Sequence, residues 1–172
     1  MNDPMNDPMS DPMSDPMSDP MSHPESEARM VDVTGKDVTH REAIAMCLVQ
    51  MSPETRDLVT ARSLDKGDAL EVARIAAIMA AKKTAELIPL CHPISIGAVD
   101  VAFDERDAGI AVTVTVRTAE RTGVEMEAMT ACTVAGLTIY DMVKGTERGV
   151  TITDVRLLRK SGGRSGTWTA ET

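Results

Sequence analysis

GVEMEAMTACTVAGLTIYDMVKG, Gly123–Gly145, is the stretch from which the rest of the chain can be read. Two acids, Glu125 and Glu127, stand at its head, and an acid and a base, Asp141 and Lys144, stand at its foot. The small and apolar residues between them read as one buried helix. Asp141 and Lys144 are three apart, so on a helix they share a face and can meet. Glu125 and Glu127 are two apart, about 200° around a helix, and inside one they would diverge. They share a face only if Gly123–Glu127 is extended. We therefore expect both at the start of a helix over Glu127–Lys144, where carboxylates suit the positive end of the dipole. Spacing alone favours a plainer alternative, N-terminal charge plus a last-turn ion pair with no chemical task.

Outward from this helix, the 172 residues amount to one domain, long enough for a real core. Residues 1–24 repeat a tetrapeptide (MNDP, MNDP, MSDP, MSDP, MSDP, MSHP) whose prolines block helix and whose only apolar residue is Met. It lacks the basic and continuous apolar regions of a secretory signal. We read residues 1–29 as a disordered tail, 30–166 as the folded domain and 167–172 as a flexible end. The tail holds seven acids and one Arg, a net −6 of the chain's −9, so the domain itself is only mildly acidic. One Trp, one Tyr and one Phe supply almost no stacking surface, which with the acidic balance argues against nucleic-acid binding. No apolar run of about 18 residues is present to span a membrane. Three cysteines, Cys47, Cys91 and Cys132, form no paired framework and no C-x-x-C, so a reducing cytoplasm is the expectation.

In order, Asp37–Arg41 reads as a turn and Ala43–Met51 as a strand. Ser52 and Pro53 start a short helix, Ser as N-cap and Pro at the first helical position. Asp68 caps a longer helix reaching about Glu86 that carries seven alanines. Helices apolar on most sides must be covered on most sides, so the Ala-rich segments suggest that neighbouring subunits complete the burial. Ile96–Phe103 and Gly109–Thr118 are strands joined by a turn at Asp104–Ala108; in the second, Ile110, Val112, Val114 and Val116 alternate with Ala111, Thr113, Thr115 and Arg117. Val150–Leu158 closes as a strand. The order is β-α-β-β-α-β, an α+β, ferredoxin-like antiparallel sheet with helices on one face.

Pro89 and Pro93 bracket Leu90-Cys91-His92 and hold it extended, so Cys91 and His92 point to opposite sides and form no nucleophile–base pair. His92 is either placed for a task or a structural His in a tight turn. No His, Cys or Asp set has metal-ligand spacing, and no dinucleotide or Walker glycine pattern is present. The loose cations, among them Lys66, Lys144, Lys160 and Arg164, leave general acid–base work on a phosphorylated small molecule as the chemistry. A glycine-rich run after Lys160 could cradle a phosphate.

The segments KGDALEVARIAAIMAAKKTAELIPLCHP, TGVEMEAMTACTVAGLTIYDMVKG and RLLRKSGGRSG strongly resemble the cyclic pyranopterin monophosphate synthase (MoaC) family of molybdenum-cofactor biosynthesis, from Met30 to about Gly166. The resemblance implies a lyase that converts 3′,8-cyclo-7,8-dihydro-GTP to cyclic pyranopterin monophosphate with release of pyrophosphate. It implies a homohexamer, a trimer of dimers, with sites at subunit interfaces. It carries Asp141, Lys66 and Lys144 over as catalytic residues. Leu90, Cys91, His92, Glu125 and Met126 carry over as substrate-binding, with Glu127, Lys160 and Arg164 as further candidates. No obligatory cofactor is expected, although Mg²⁺ can accompany the triphosphate. Val143 stands where the family often has Cys, so no thiol is required there.

Overall fold

A computed structural model describes residues 28–171 of the chain. The tetrapeptide repeat and most of the expected tail lie outside the described residues. The elements run β1 (Thr39–Gln50), α1 (Pro53–Thr60), α2 (Ala69–Lys82), α3 (Thr84–Leu87), β2 (Ala98–Arg106), β3 (Gly109–Glu120), α4 (Glu125–Val143), β4 (Thr151–Ser161) and β5 (Trp168–Thr169). They make an α+β fold around one five-stranded sheet of order β2-β3-β1-β4-β5, in which every neighbouring pair is antiparallel.

The period-two pattern of β1 and β3 sets the core. Ala43, Ala45, Cys47 and Val49 are buried and lie directly across from Val116, Val114, Val112 and Ile110. Successive strand side chains alternate sides, so these eight form one apolar face. Onto it α4 lays Ala128, Ala131, Cys132, Ala135, Ile139 and Val143, all buried. Helix α2 runs beside α4 and contributes buried Ala69, Ala73, Ala77, Ala80 and Ala81. The small residues thus let α2, α4 and the sheet approach closely within one chain. The chain itself thus covers five of the seven alanines, while Ala76 and Ala85 stay only partly buried. What α2 leaves outside is larger, namely Val72, Ile75 and Met79.

On the other face of the sheet a charge ladder crosses the strands. Arg117 meets Glu42 at 2.8 Å and also pairs with Asp100, while Arg159 reaches Glu42 at 2.8 Å. Single surface pairs contribute little, but an acid shared between two guanidinium groups holds a fixed geometry.

Several boundaries differ from the sequence expectation. β1 begins at Thr39, so His40 and Arg41 are strand residues and the turn falls earlier, around Thr34–Lys36. The long Ala-rich helix ends at Lys82; α3 resumes after Lys83, and the Thr84 hydroxyl donates to the carbonyls of Ala80 and Ala81. The central helix starts at Glu125, two residues earlier than expected. The end expected to be flexible supplies β5, with Trp168 paired to Lys160 and Thr169 to Arg159. No described helix is long and apolar enough to cross a membrane.

Gly136 marks the tightest approach of α4 to the sheet. A Cβ there would lie 3.2 Å from both Cys47 Sγ and Ile152 Cγ2 and 3.5 Å from Val49 Cγ2. Gly136→Val should push α4 off the sheet and cost about 2 kcal/mol or more. The readout is a lower urea midpoint with an unchanged slope.

Candidate functional site

The sequence candidates fall into two groups, one at each end of α4. Sixteen residues of helix separate Glu125 from Asp141, which at the helical rise is about 24 Å. A single chain therefore does not bring Lys66, Asp141 and Lys144 to His92, Glu125 and Glu127.

At the C-terminal end, Asp141 bridges two ammonium groups. Lys144 Nζ approaches Oδ1 at 2.6 Å, and Lys66 Nζ approaches Oδ2 at 3.0 Å and the Asp141 carbonyl at 2.6 Å. Lys144 is delivered by the three-residue spacing on the last turn. Lys66 arrives from the α1–α2 loop, turned by Gly67 at φ +99° just before Asp68 caps α2 through the amides of Leu70 and Glu71. The chain beyond Lys144 is anchored as well: the Glu147 carboxylate accepts from the Ser52 amide and, at 2.8 Å, from its hydroxyl, at the cap of α1. The hydrogen bond from Lys144, and then that from Lys66, holds the Asp141 carboxyl below its usual range. The same bond to Asp141 pushes the Lys144 ammonium up. Lys144 is thus a fixed cation in the single chain, suited to donating a proton or stabilising negative charge.

At the N-terminal end a cleft of about 370 Å³ is lined by Leu90, Cys91, His92, Glu125, Met126 and Glu127, with Arg29 and Lys36 on its rim. Glu125 and Glu127 are both in the first helical turn rather than in extended chain. Two-residue spacing then splits them: Glu127 is 4% exposed, whereas Glu125 is half-buried and faces Lys160 at 3.7 Å. Burial pushes the Glu127 carboxyl up, and the neighbouring Glu125 adds to this. A carboxyl so placed can exist in both protonation states closer to neutrality, as proton transfer requires. His92 Nε2 lies 2.8 Å from the Val31 carbonyl, which fixes the ring. Burial, and then Glu127, pushes the Cys91 thiol up, so Cys91 is no ready nucleophile.

Lys36 also lines a second cleft of about 500 Å³ with Thr39, Arg41, Gly163, Arg164 and Ser165. Arg41 is pinned by a bond from Nε to the Glu120 carbonyl at 2.8 Å, and a Cβ on Gly163 would strike its guanidinium. Lys160 donates to Ser165 Oγ at 2.7 Å. The Thr39 hydroxyl is buried with no hydrogen-bond partner among the described residues. Lys36, Arg41 and Thr39 were not legible as site residues. The only sequence signal is a lone Arg, and a Lys beside a turn glycine, ahead of an apolar strand.

The sequence model of the MoaC family matches residues 30–163. This chain belongs to the MoaC family. It is similar to the cyclic pyranopterin monophosphate synthase of Streptomyces coelicolor, 54% identical over 142 residues covering 83% of this chain and 84% of that protein. The protein of the same name from Thermomicrobium roseum is 54% identical over 147 residues, covering 84% and 89%. That from Parvibaculum lavamentivorans is 54% identical over 146 residues, covering 84% and 91%.

Glu127 gives a pH test with a definite sign. A buried carboxyl whose folded pKa exceeds its unfolded value of about 4.3 opposes folding above that range, and the penalty vanishes below it. Glu127→Gln should therefore raise the urea midpoint at pH 7 and leave it nearly unchanged near pH 4.

Proposed function

We propose that this chain converts 3′,8-cyclo-7,8-dihydro-GTP to cyclic pyranopterin monophosphate with release of pyrophosphate, in molybdenum-cofactor biosynthesis. Membership of a family whose relatives carry the synthase name supports this reading. The observation that carries the chemistry is one carboxylate, Asp141, holding two exposed lysines at an open surface. An ion pair kept only for stability would be worth little there.

The geometry supports a division of roles among the residues. Leu90, Cys91, His92, Met126 and the two glutamates form the wall that receives the ring system, with Glu127 as the buried carboxyl able to carry a proton. Lys36, Arg41, Lys160 and Arg164 hold the phosphates, by charge and, for the arginines, by paired donors. A triphosphate becomes a cyclic monophosphate when a substrate oxygen displaces pyrophosphate at the α-phosphorus. The negative charge that develops in that step is stabilised by fixed cations. Lys66 and Lys144 are such cations, and Lys144, held protonated by Asp141, acts as acid rather than base. Magnesium, where it takes part, arrives on the triphosphate.

The separation of the two groups supports a site shared between chains, the Lys66–Asp141–Lys144 end of one completing the His92–Glu127 end of another; the homohexamer, a trimer of dimers, is our reading from the family. A ferredoxin-like plan is our reading of the β-α-β-β-α-β order, with β5 added at the β4 edge.

Turnover of 3′,8-cyclo-7,8-dihydro-GTP, followed as pyrophosphate and pterin product, tests the reading. Lys66→Ala and Lys144→Ala should each lose at least about 100-fold in kcat with unchanged circular dichroism. Tight binding without product from the parent would instead mark a non-catalytic pterin- or nucleotide-binding module. Mixed assemblies of Lys66→Ala and His92→Ala chains should regain activity, up to about a quarter of the parent's for randomly paired dimers.

A further inference from the structure

The Val31 carbonyl that meets His92 belongs to a segment with no regular structure of its own. Residues 28–38 precede β1 outside any helix or strand, so no ladder of backbone bonds holds their carbonyls. Side chains hold them instead. The Asp32 carboxylate accepts from the amide and the hydroxyl of Thr34 at 2.8 and 2.7 Å, and the Lys36 amide donates to the Val33 carbonyl at 3.1 Å. These bonds shape the segment without attaching it to the domain. Arg121 attaches it: Nη1 donates to the Lys36 carbonyl at 2.8 Å and also to the Thr34 carbonyl. Arg121 is itself fixed, because its own carbonyl accepts from Arg41 Nη2 at 3.0 Å. A guanidinium keeps its protons at any working pH, so these bonds do not switch off. The strap so pinned forms one side of the His92–Glu127 cleft through Arg29, Val31, Val33 and Lys36.

The strap decides the state of the imidazole. A carbonyl oxygen only accepts, so the ring nitrogen 2.8 Å from it, Nε2, carries the hydrogen. In the neutral ring Nδ1 is then the nitrogen with the free lone pair. Burial does not impose this choice, since His92 is only partly buried; the Val31 carbonyl does, and that carbonyl stays in place because Arg121 holds the strap.

We propose that Arg121 is a positioning residue for the reaction: by pinning the strap it sets the Val31 carbonyl against His92, which fixes the ring and reserves Nδ1 as the nitrogen that accepts a hydrogen bond or a proton. The inference rests on the reading that places His92 in the wall receiving the substrate, and adds the residue that keeps it in one orientation.

The chain has three histidines, His23, His40 and His92, so labelling the histidine ring nitrogens gives few magnetic-resonance signals, and His92→Gln identifies the relevant one. In the full chain at about pH 9, where imidazoles are neutral, His92 of the parent should show a single tautomer, protonated at Nε2, whose proton exchanges slowly with water. Arg121→Ala should show mixed tautomers and fast exchange with unchanged circular dichroism, and lose roughly ten-fold or more in kcat/KM for 3′,8-cyclo-7,8-dihydro-GTP. Arg121→Lys, which returns a cationic donor to the strap, should restore the single tautomer and most of the turnover. Arg106→Ala, which removes a surface arginine paired with Asp104, should match the parent in both. A single, protected tautomer persisting in Arg121→Ala overturns the pinning. A released ring at the parent's kcat/KM overturns the positioning role. The ring is read without substrate, so a parent that turns nothing over counts against the synthase reading, while the ring signals still decide whether Arg121 holds His92.

Discussion

The length of α4 is the constraint on which the rest of the structure depends. The helix is nineteen residues long, and its middle is made of residues small enough to lie flat on β1 and β3 and against α2. Its chemistry-bearing residues can therefore stand only at its ends. Its buried residues are packed against the sheet and α2, and both clefts that hold the remaining candidates lie at its N-terminal end. A reaction needing all of these groups has to bridge a helix, and one chain has no means of shortening it.

The two ends also differ electrostatically. Asp141 stays ionised because two ammonium groups donate to it, and in return it keeps Lys144 charged. Glu127 lies in a drier place and has the opposite tendency, because burial works against its charge. Two carboxyls with their proton affinities pushed apart by environment are a recurrent arrangement where acid and base tasks must be divided at one pH. Here the two carboxyls stand at opposite ends of the same helix. The cysteines stand outside it: Cys47 and Cys132 are buried, with Cys47 Sγ donating to the Cys132 carbonyl at 3.4 Å. They serve as small core residues.

Much of this was legible in the sequence because it is local. Ser52-Pro53 and Asp68 state where α1 and α2 begin, the alternation in β3 states which side is buried, and three-residue spacing states that Asp141 meets Lys144. Other features depended on contacts distant in sequence. That Lys66 also reaches Asp141 is a contact across 75 positions, and Arg41 becomes a site residue only when β1 and the Lys160–Gly166 loop are side by side. Glu125 and Glu127 were expected at the entry to the helix, and both fall in its first turn, where the Ala128 amide bonds to the Val124 carbonyl at 3.1 Å. The alanines were read as close-packing residues, and five of the seven pack within the chain; composition does not say whether a facing surface belongs to the same chain.

That last ambiguity has a physical resolution that bears on how the protein works. A helix that spends its small residues on its own fold has only its large apolar residues left to offer a neighbour. Alanine surfaces give close contact but little buried area each, and they serve the intrachain seam between α2 and α4, where a chain connection already holds the elements together. A contact between separate chains must also overcome the loss of free motion on association, and larger side chains such as Val72, Ile75 and Met79 suit that burden better. Side-chain size thus divides the two sides of α2: alanines against the chain's own interior, larger aliphatics on the exposed side.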